Sequence, residues 1–131
     1  MDNVKYIFVM KKNKFITAVN AIILVIPSMD VDYCRKEIVE RFNLQKVKDV
    51  VPGGAQRQDS VRFGIEAAGK NYDLVLIHDG VRPAIDEVLI ERVIETAKTH
   101  RAVITALPAK ETVKEVDSDA YVVKTFARKK I

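Results

Sequence analysis

Residues 21–26 read AIILVI, an unbroken apolar run that stops at Pro27. β-Branched side chains fill it without polar alternation, as is typical of a strand buried on both faces of a parallel sheet. Two later runs repeat the pattern. We therefore predict three buried parallel strands, at Ile22–Ile26, Leu74–Ile77 and Val103–Leu107.

Segments with helical signals lie between these runs. The predicted helices are one capped by Asp30 or Asp32 and ending near Phe42, one from about Asp59 or Ser60 to Gly69, and one from about Asp86 to His100. A short strand over Val47–Val51 precedes the second helix. Strands that alternate with helices at this spacing predict an α/β fold, with a parallel sheet covered on both faces.

The last quarter of the chain has a different pattern. Two extended segments, Glu111–Val116 and Tyr121–Phe126, flank the polar residues 117–120. Extended segments around a polar turn predict a β-hairpin. We expect a hairpin arm within residues 107–128.

Composition and charge narrow the classes of protein. The 131 residues are 48% hydrophobic and 31% charged, as expected of one globular domain. The net charge of +4 comes from seven basic residues near the two ends, because residues 15–127 hold 15 basic and 17 acidic residues. Residues 15–127 thus carry no excess of basic side chains, and we expect no nucleic-acid binding.

The apolar runs and the cysteine content indicate the cellular compartment in which the protein is expected. The longest purely apolar run, residues 21–26, is far too short to cross a bilayer, so no membrane association is expected. Cys34 is the single cysteine and cannot form an internal disulfide. We expect a cytoplasmic protein in which Cys34 serves packing and no structural zinc is bound.

Ligands of open parallel sheets bind outside the carboxyl ends of the strands. After the strand at Val47–Val51, Gly53 and Gly54 lead into a helix, and glycines allow close backbone approach to a ligand. Two readings remain open for this segment: a nucleotide site at the helix N-terminus, or a tight turn capped by Asp59 or Ser60. It does not match the Walker loop or the dinucleotide fingerprint.

The segment HDGVRP at residues 78–83 directly follows the strand at Leu74–Ile77. Asp79 could hold Mg²⁺ or accept from a hydroxyl group, and the guanidinium of Arg82 could bind a phosphate. The alternative is an ion pair between Asp79 and Arg82 that stabilises the turn, with His78 half-buried. A third post-strand segment, residues 108–114, offers cations and a hydroxyl group.

Together these segments resemble one enzyme family. Gly53-Gly54 with Arg57 and Ser60-Val61, then LIHDGVRP at 76–83, then Pro108 with ETVK at 111–114 resemble successive motifs of the 2-C-methyl-D-erythritol 4-phosphate cytidylyltransferases. The resemblance runs from about Ile22 to Arg128. It implies the Rossmann-like, three-layer fold of a nucleotidyltransferase with a parallel or mixed sheet. It also implies Mg²⁺-dependent transfer of CMP from CTP to a sugar-alcohol phosphate, with release of pyrophosphate, in non-mevalonate isoprenoid biosynthesis.

The resemblance also implies roles for individual residues. Those matching the family's cytosine-binding positions are Gly53, Gly54 and Ser60. Those matching substrate-binding positions are Asp79, Arg82, Thr112 and Arg128, with Asp79 also at the metal. In this family a β-arm crosses into the partner subunit, and Thr112 and Arg128 fall in that arm, which implies a homodimer.

Residues 1–131 also depart from the family pattern. They lack the glycine-rich loop with its arginine, the lysine-containing stretch that follows it, and the family's closing segment. Met1–Phe15 resembles the helical region that comes after those elements. We therefore expect a partial cytidylyltransferase domain, truncated at both ends and impaired in catalysis, and assign no catalytic residue. The alternatives are a ribitol-5-phosphate cytidylyltransferase and a non-catalytic remnant that binds nucleotide or dimerises.

Overall fold

The computed structural model describes residues 5–10, 19–82 and 84–128. The chain divides into two compact units, Met1–Arg101 and Ala102–Ile131. The first unit holds the main sheet, and the second holds the predicted arm.

The first unit is built on a four-stranded sheet in the order β3-β2-β1-β4. Its strands are β1 (Lys5–Met10), β2 (Ala21–Ile26), β3 (Val47–Pro52) and β4 (Leu74–Asp79). β2 and β3 are parallel, whereas β1 is antiparallel to both β2 and β4. It follows that β2, β3 and β4 share one direction and that their carboxyl ends lie at one edge of the sheet.

Among the residues described in the first unit, three segments are helical. The first comprises a 3₁₀ turn (Ser28–Asp30), one α-helical turn α1 (Val31–Tyr33) and a π-helix (Cys34–Glu40); the others are α2 (Arg57–Ala68) and α3 (Glu87–Thr99). The helix predicted from about Asp86 is α3, and the structure adds that Asp86 caps it, since its carboxylate accepts from the Leu89 backbone N–H at 2.6 Å. In the described part of the chain, we find no helix with the length and apolar character that crossing a membrane requires.

The core lies on both faces of β2. On one face, Ala21, Ile23 and Val25 form a cluster with Ala68 of α2 and with Tyr72. On the other face, the cluster of Leu24, Ile26 and Val50 packs against Val31, Cys34 and Val39 of the first helical segment. The prediction of an apolar run buried on both faces is confirmed here, and the sheet lies between two helical layers.

The second unit contains the predicted hairpin. β5 (Lys114–Val116) and β6 (Val122–Thr125) pair antiparallel. In the turn, Asp117 Oδ1 accepts from the backbone N–H groups of Asp119 and Tyr121, at 3.0 and 2.9 Å. Ala120 has a positive φ of 64°. The Asp117 carboxylate thus replaces backbone partners that a tight turn leaves unpaired.

Two of the three strand predictions need correction. Leu74–Ile77 does lie in a strand, β4, but Val75 and Ile77 are each 42% exposed, so the segment is not buried on both faces. Val103–Leu107 forms no strand: Ile104 is 87% and Leu107 91% exposed. An apolar run becomes a strand only where a neighbouring strand pairs with its backbone, and residues 102–110 have no such pairing.

The beginning of the chain also differs from expectation. Met1–Phe15 resembles a helical region in sequence, yet Lys5–Met10 is strand β1, inserted between β2 and β4. The remaining residues of that prediction lie outside the described ranges. Tertiary pairing here overrides a local resemblance, as it commonly does for short segments.

Candidate functional site

The candidate site lies at the sheet edge where β2, β3 and β4 end. The Gly53 N–H donates to the Ile26 carbonyl at 2.8 Å and so joins the segment after β3 to the last residue of β2. Asp79 is the last residue of β4. Two of the three predicted post-strand segments, those after β3 and β4, therefore meet at this edge.

Residues 53–56 form a glycine turn between β3 and α2. A β-carbon on Gly54 would lie 2.3 Å from Asp59 Cβ and 3.2 Å from the Phe63 ring. A β-carbon on Gly53 would lie 2.9 Å from Ser60 Oγ. A side chain at either position would clash, because the turn packs directly on the first turns of α2.

Ser60 holds the glycine turn from inside. Its side chain is fully buried, its hydroxyl accepts from the Gly54 N–H at 3.1 Å, and the same hydroxyl donates to the Gln56 carbonyl at 3.3 Å. Ser60 was predicted beside the cytosine. In the structure its hydroxyl fixes the backbone of the segment that carries Gly53 and Gly54.

The start of α2 differs from the predicted one. The helix begins at Arg57 with Gln56 as N-cap, rather than with Asp59 or Ser60. Asp59 closes a capping box, since its carboxylate accepts from the Gln56 N–H at 3.2 Å. A glutamine is an uncommon N-cap, so its sequence signal is weaker than that of the nearby Asp and Ser.

Asp79 is the centre of a charged cluster. Its side chain is only 20% exposed, and its carboxylate faces two guanidinium groups: Arg57 Nη2 at 3.5 Å from Oδ1 and Arg82 Nε at 3.6 Å from Oδ2. We call Arg57, Asp79 and Arg82 the Asp79 cluster. The backbone N–H of Arg82 also donates to the backbone carbonyl of Asp79 at 3.0 Å, which closes the turn after β4.

The sequence left two interpretations of the segment after β4: a ligand site at Asp79 and Arg82, or an ion pair between them that stabilises the turn. The Asp79–Arg82 ion pair of the alternative reading is present, and His78 is partly buried as that reading expected. Arg57 was assigned no role from the sequence. Its signal was the position of a cation three residues after Gly54, but its contact with Asp79 spans 22 residues and depends on the sheet.

The donor set defines what metal the cluster can hold. Among the described residues, no group of three or more His, Cys, Asp or Glu side chains is placed to bind a metal ion. Mg²⁺ is commonly held by one or two carboxylates together with substrate phosphates. Asp79 therefore fits Mg²⁺ that arrives with a phosphorylated ligand, not a metal held by protein groups alone.

The two arm residues predicted to bind substrate lie together in the second unit. Arg128 Nη2 donates to Thr112 Oγ1 at 3.4 Å. Thr112 lies just before β5 and Arg128 just after β6, so the hairpin brings them into contact. The pair offers a guanidinium and a hydroxyl group at the base of the arm.

Comparison with known proteins gives consistent matches. Residues 9–131 match the family model of 2-C-methyl-D-erythritol 4-phosphate cytidylyltransferase (IspD). Proteins of that name from Syntrophus aciditrophicus and Alkaliphilus metalliredigens are 42% and 41% identical, each over 86% of this chain. A crystal structure of 4-diphosphocytidyl-2C-methyl-D-erythritol synthase from Anaerococcus prevotii matches 87% of the chain, with a TM-score of 0.76 and 38% identity.

The matches cover only part of each relative. The aligned region is 48% of the Syntrophus protein, 47% of the Alkaliphilus protein and 49% of the Anaerococcus chain. The chain thus spans about half the length of the relatives it matches. The family model nevertheless covers nearly the whole of this chain, including the glycine turn and the Asp79 cluster. The chain belongs to the 2-C-methyl-D-erythritol 4-phosphate cytidylyltransferase family.

Proposed function

We propose that this chain takes part in the transfer of CMP from CTP to 2-C-methyl-D-erythritol 4-phosphate, with release of pyrophosphate. The observation that carries the proposal is the meeting of the glycine turn and the Asp79 cluster at one sheet edge. Ligands of open α/β sheets bind at such an edge. The names of the related proteins favour methylerythritol phosphate over ribitol phosphate as acceptor.

The glycine turn is the proposed site for the cytosine base. The backbone N–H groups of Gly53 and Gly54 already donate to Ile26 and Ser60. The carbonyl oxygens of the two glycines are therefore the backbone groups of this turn that would accept from the base. The exocyclic amino group of cytosine is a donor, whereas uracil carries an oxygen acceptor at that position. This arrangement favours CTP over UTP, and Ser60 contributes by fixing the turn.

The Asp79 cluster is the proposed site for the sugar and phosphate groups. Arg82 is 78% exposed and lies on the turn after β4, so its guanidinium can bind a phosphate in a planar, two-point contact. Asp79 can accept from a sugar hydroxyl or hold Mg²⁺ together with the phosphates. When bound, Mg²⁺ would neutralise phosphate charge and orient the leaving pyrophosphate.

We also propose a homodimer formed through the hairpin arm. Tyr121, Val122 and Val123 are 73%, 53% and 64% exposed, and together they leave apolar area on a short two-stranded element. Such area is typical of a surface that a partner covers. In the dimer, Thr112 and Arg128 would contact substrate held by the partner. The single cysteine fits the cytoplasm as compartment.

A pyrophosphate-release assay with CTP, Mg²⁺ and methylerythritol phosphate tests the proposed function. Release should depend on the acceptor, should be weaker with ribitol 5-phosphate, and should be lost in Asp79→Asn. CTP binding without release would instead support a non-catalytic nucleotide-binding module. If the folded chain shows neither CTP binding nor pyrophosphate release, the enzymatic and the nucleotide-binding hypotheses are both contradicted. The chain would then be a structural remnant.

A further inference from the structure

Arg57 connects the two halves of the candidate site. It is the first residue of α2, directly after the glycine turn, and its guanidinium reaches Asp79 at the end of β4. Its backbone is fixed by the capping box of Gln56 and Asp59. A side chain that starts from a fixed helix turn can hold a group on a neighbouring segment in a defined orientation.

The two arginines of the Asp79 cluster are not equivalent. Arg82 lies on the same four-residue turn as Asp79, so its ion pair moves with the carboxylate and cannot fix it relative to the rest of the sheet edge. Arg57 comes from a separate element. It is also the less exposed of the two, at 61% against 78%.

Burial of the carboxylate gives the Arg57 contact its weight. Pairs between fully exposed charges are weak because water screens them. The Asp79 side chain is only 20% exposed, so its charge is partly shielded from solvent and an ion pair to it is less screened. Loss of one guanidinium would therefore change how the carboxylate is oriented as well as the local charge.

We infer that Arg57 is a positioning residue: it fixes the Asp79 carboxylate relative to the glycine turn, and so leaves Arg82 able to exchange between Asp79 and a substrate phosphate. The inference rests on the proposed function, in which the turn binds the base and Asp79 the sugar or metal. Arg57 itself does not contact the reacting atoms in this arrangement. Arg57 acts through Asp79.

A double-mutant cycle tests this coupling. Calorimetry would measure Mg²⁺-CTP affinity for the 131-residue chain, for Arg57→Ala, for Asp79→Asn and for the double variant. We expect Arg57→Ala to weaken binding about fivefold, the factor that corresponds to one partly shielded ion pair, and to add little in the Asp79→Asn background. Arg57→Lys, which keeps the charge, should recover part of the loss. Equal losses in both backgrounds, or no loss, would overturn the inference.

Arg62→Ala is the matched control. Arg62 lies on the same helix, is similarly exposed at 58%, and pairs with Asp59 and Glu66 rather than with Asp79. Its removal should leave CTP affinity within twofold of wild type. A loss as large as that of Arg57→Ala would show that any cation on α2 suffices, and would contradict a specific positioning role.

A ligand-free readout separates this inference from the proposed function. The ¹³C resonance of the Asp79 carboxyl carbon, assigned by its absence in Asp79→Asn, should shift in Arg57→Ala and stay in place in Arg62→Ala. Failure of the folded wild-type chain to bind CTP would contradict the proposed function alone. An unmoved carboxyl resonance in Arg57→Ala would contradict the positioning role, whether or not CTP binds.

Discussion

At the scale of single residues, close contacts at the start of α2 dictate the shape of the glycine turn. Gly54 lies so near Asp59 that no β-carbon can be added without movement of backbone or helix. Ser60 Oγ then fixes the turn by hydrogen bonds on both sides. These contacts hold the turn in its conformation without a ligand, which lowers the entropic cost of binding.

Gly54→Ala should lower the free energy of unfolding by about 1–3 kcal/mol, the usual effect of adding a methyl group where there is no space. Chemical denaturation measures it. Gln58→Ala, an exposed change on the same helix turn, should stay within about 0.5 kcal/mol of wild type. Equal stability of Gly54→Ala and wild type would show that the turn is not packed as described.

Cys34 should react slowly in the folded chain. Burial raises the pKa of the Cys34 thiol, Arg35 partly offsets this and Asp30 adds to it. A raised pKa means less thiolate at pH 8, and the thiolate is the reactive form. Mass spectrometry should show slower alkylation by iodoacetamide than in the urea-unfolded chain. Equal or faster alkylation of the folded chain would contradict a packing role.

Residue patterns could locate the candidate site but could not describe its contacts. Gly53, Gly54, Asp79 and Arg82 follow strands in the sequence, and that order was enough to place them at one edge. The Arg57–Asp79 contact and the burial of Ser60 arise from packing between segments distant in sequence. Local patterns hold no information on such contacts.

At the scale of elements, the hairpin arm depends on one carboxylate. Asp117→Ala removes the acceptor of two backbone N–H groups, so the turn should open more often. We expect exchange protection of the Phe126 amide, which donates to Val113, to fall about fivefold, equivalent to about 1 kcal/mol of lost hydrogen bonding. Asp119→Ala removes the same charge and keeps the Asp117 acceptor. Similar losses in both variants would point to charge rather than to the turn.

Element prediction succeeded where local signals were strong. The runs at β2, β3 and β4, the capped helix α3 and the hairpin were all expected within a few residues. The expected helical region at Lys5–Met10 and the expected strand at Val103–Leu107 were wrong for the same physical reason. Strand formation depends on a pairing partner elsewhere in the chain. An apolar run predicts a preference for extended structure but does not supply that partner.

At the scale of the whole molecule, the length of the match limits the activity expected of these residues. The chain spans 49% of the Anaerococcus prevotii synthase, and no glycine precedes Gly53 in the sequence. Phosphoryl-type transfer depends on several cations placed around the phosphates. We therefore expect the 131-residue polypeptide to release pyrophosphate at least about 100-fold more slowly than the full-length Anaerococcus enzyme, by a coupled phosphate assay. Rates within tenfold of each other would show that residues 1–131 hold the complete catalytic apparatus.

Calorimetric titration of Mg²⁺-CTP into the wild-type chain and Asp79→Asn tests whether the sheet edge at Asp79 binds nucleotide. Asp73→Asn is the control, because Asp73 precedes β4 and so lies at the opposite end of the same strand. We predict saturable binding to wild type, a loss of about tenfold or more in Asp79→Asn from removal of a charged contact, and no change in Asp73→Asn, with all three chains folded. Absence of CTP binding to the folded wild-type chain, or equal affinity of wild type and Asp79→Asn, would contradict this prediction.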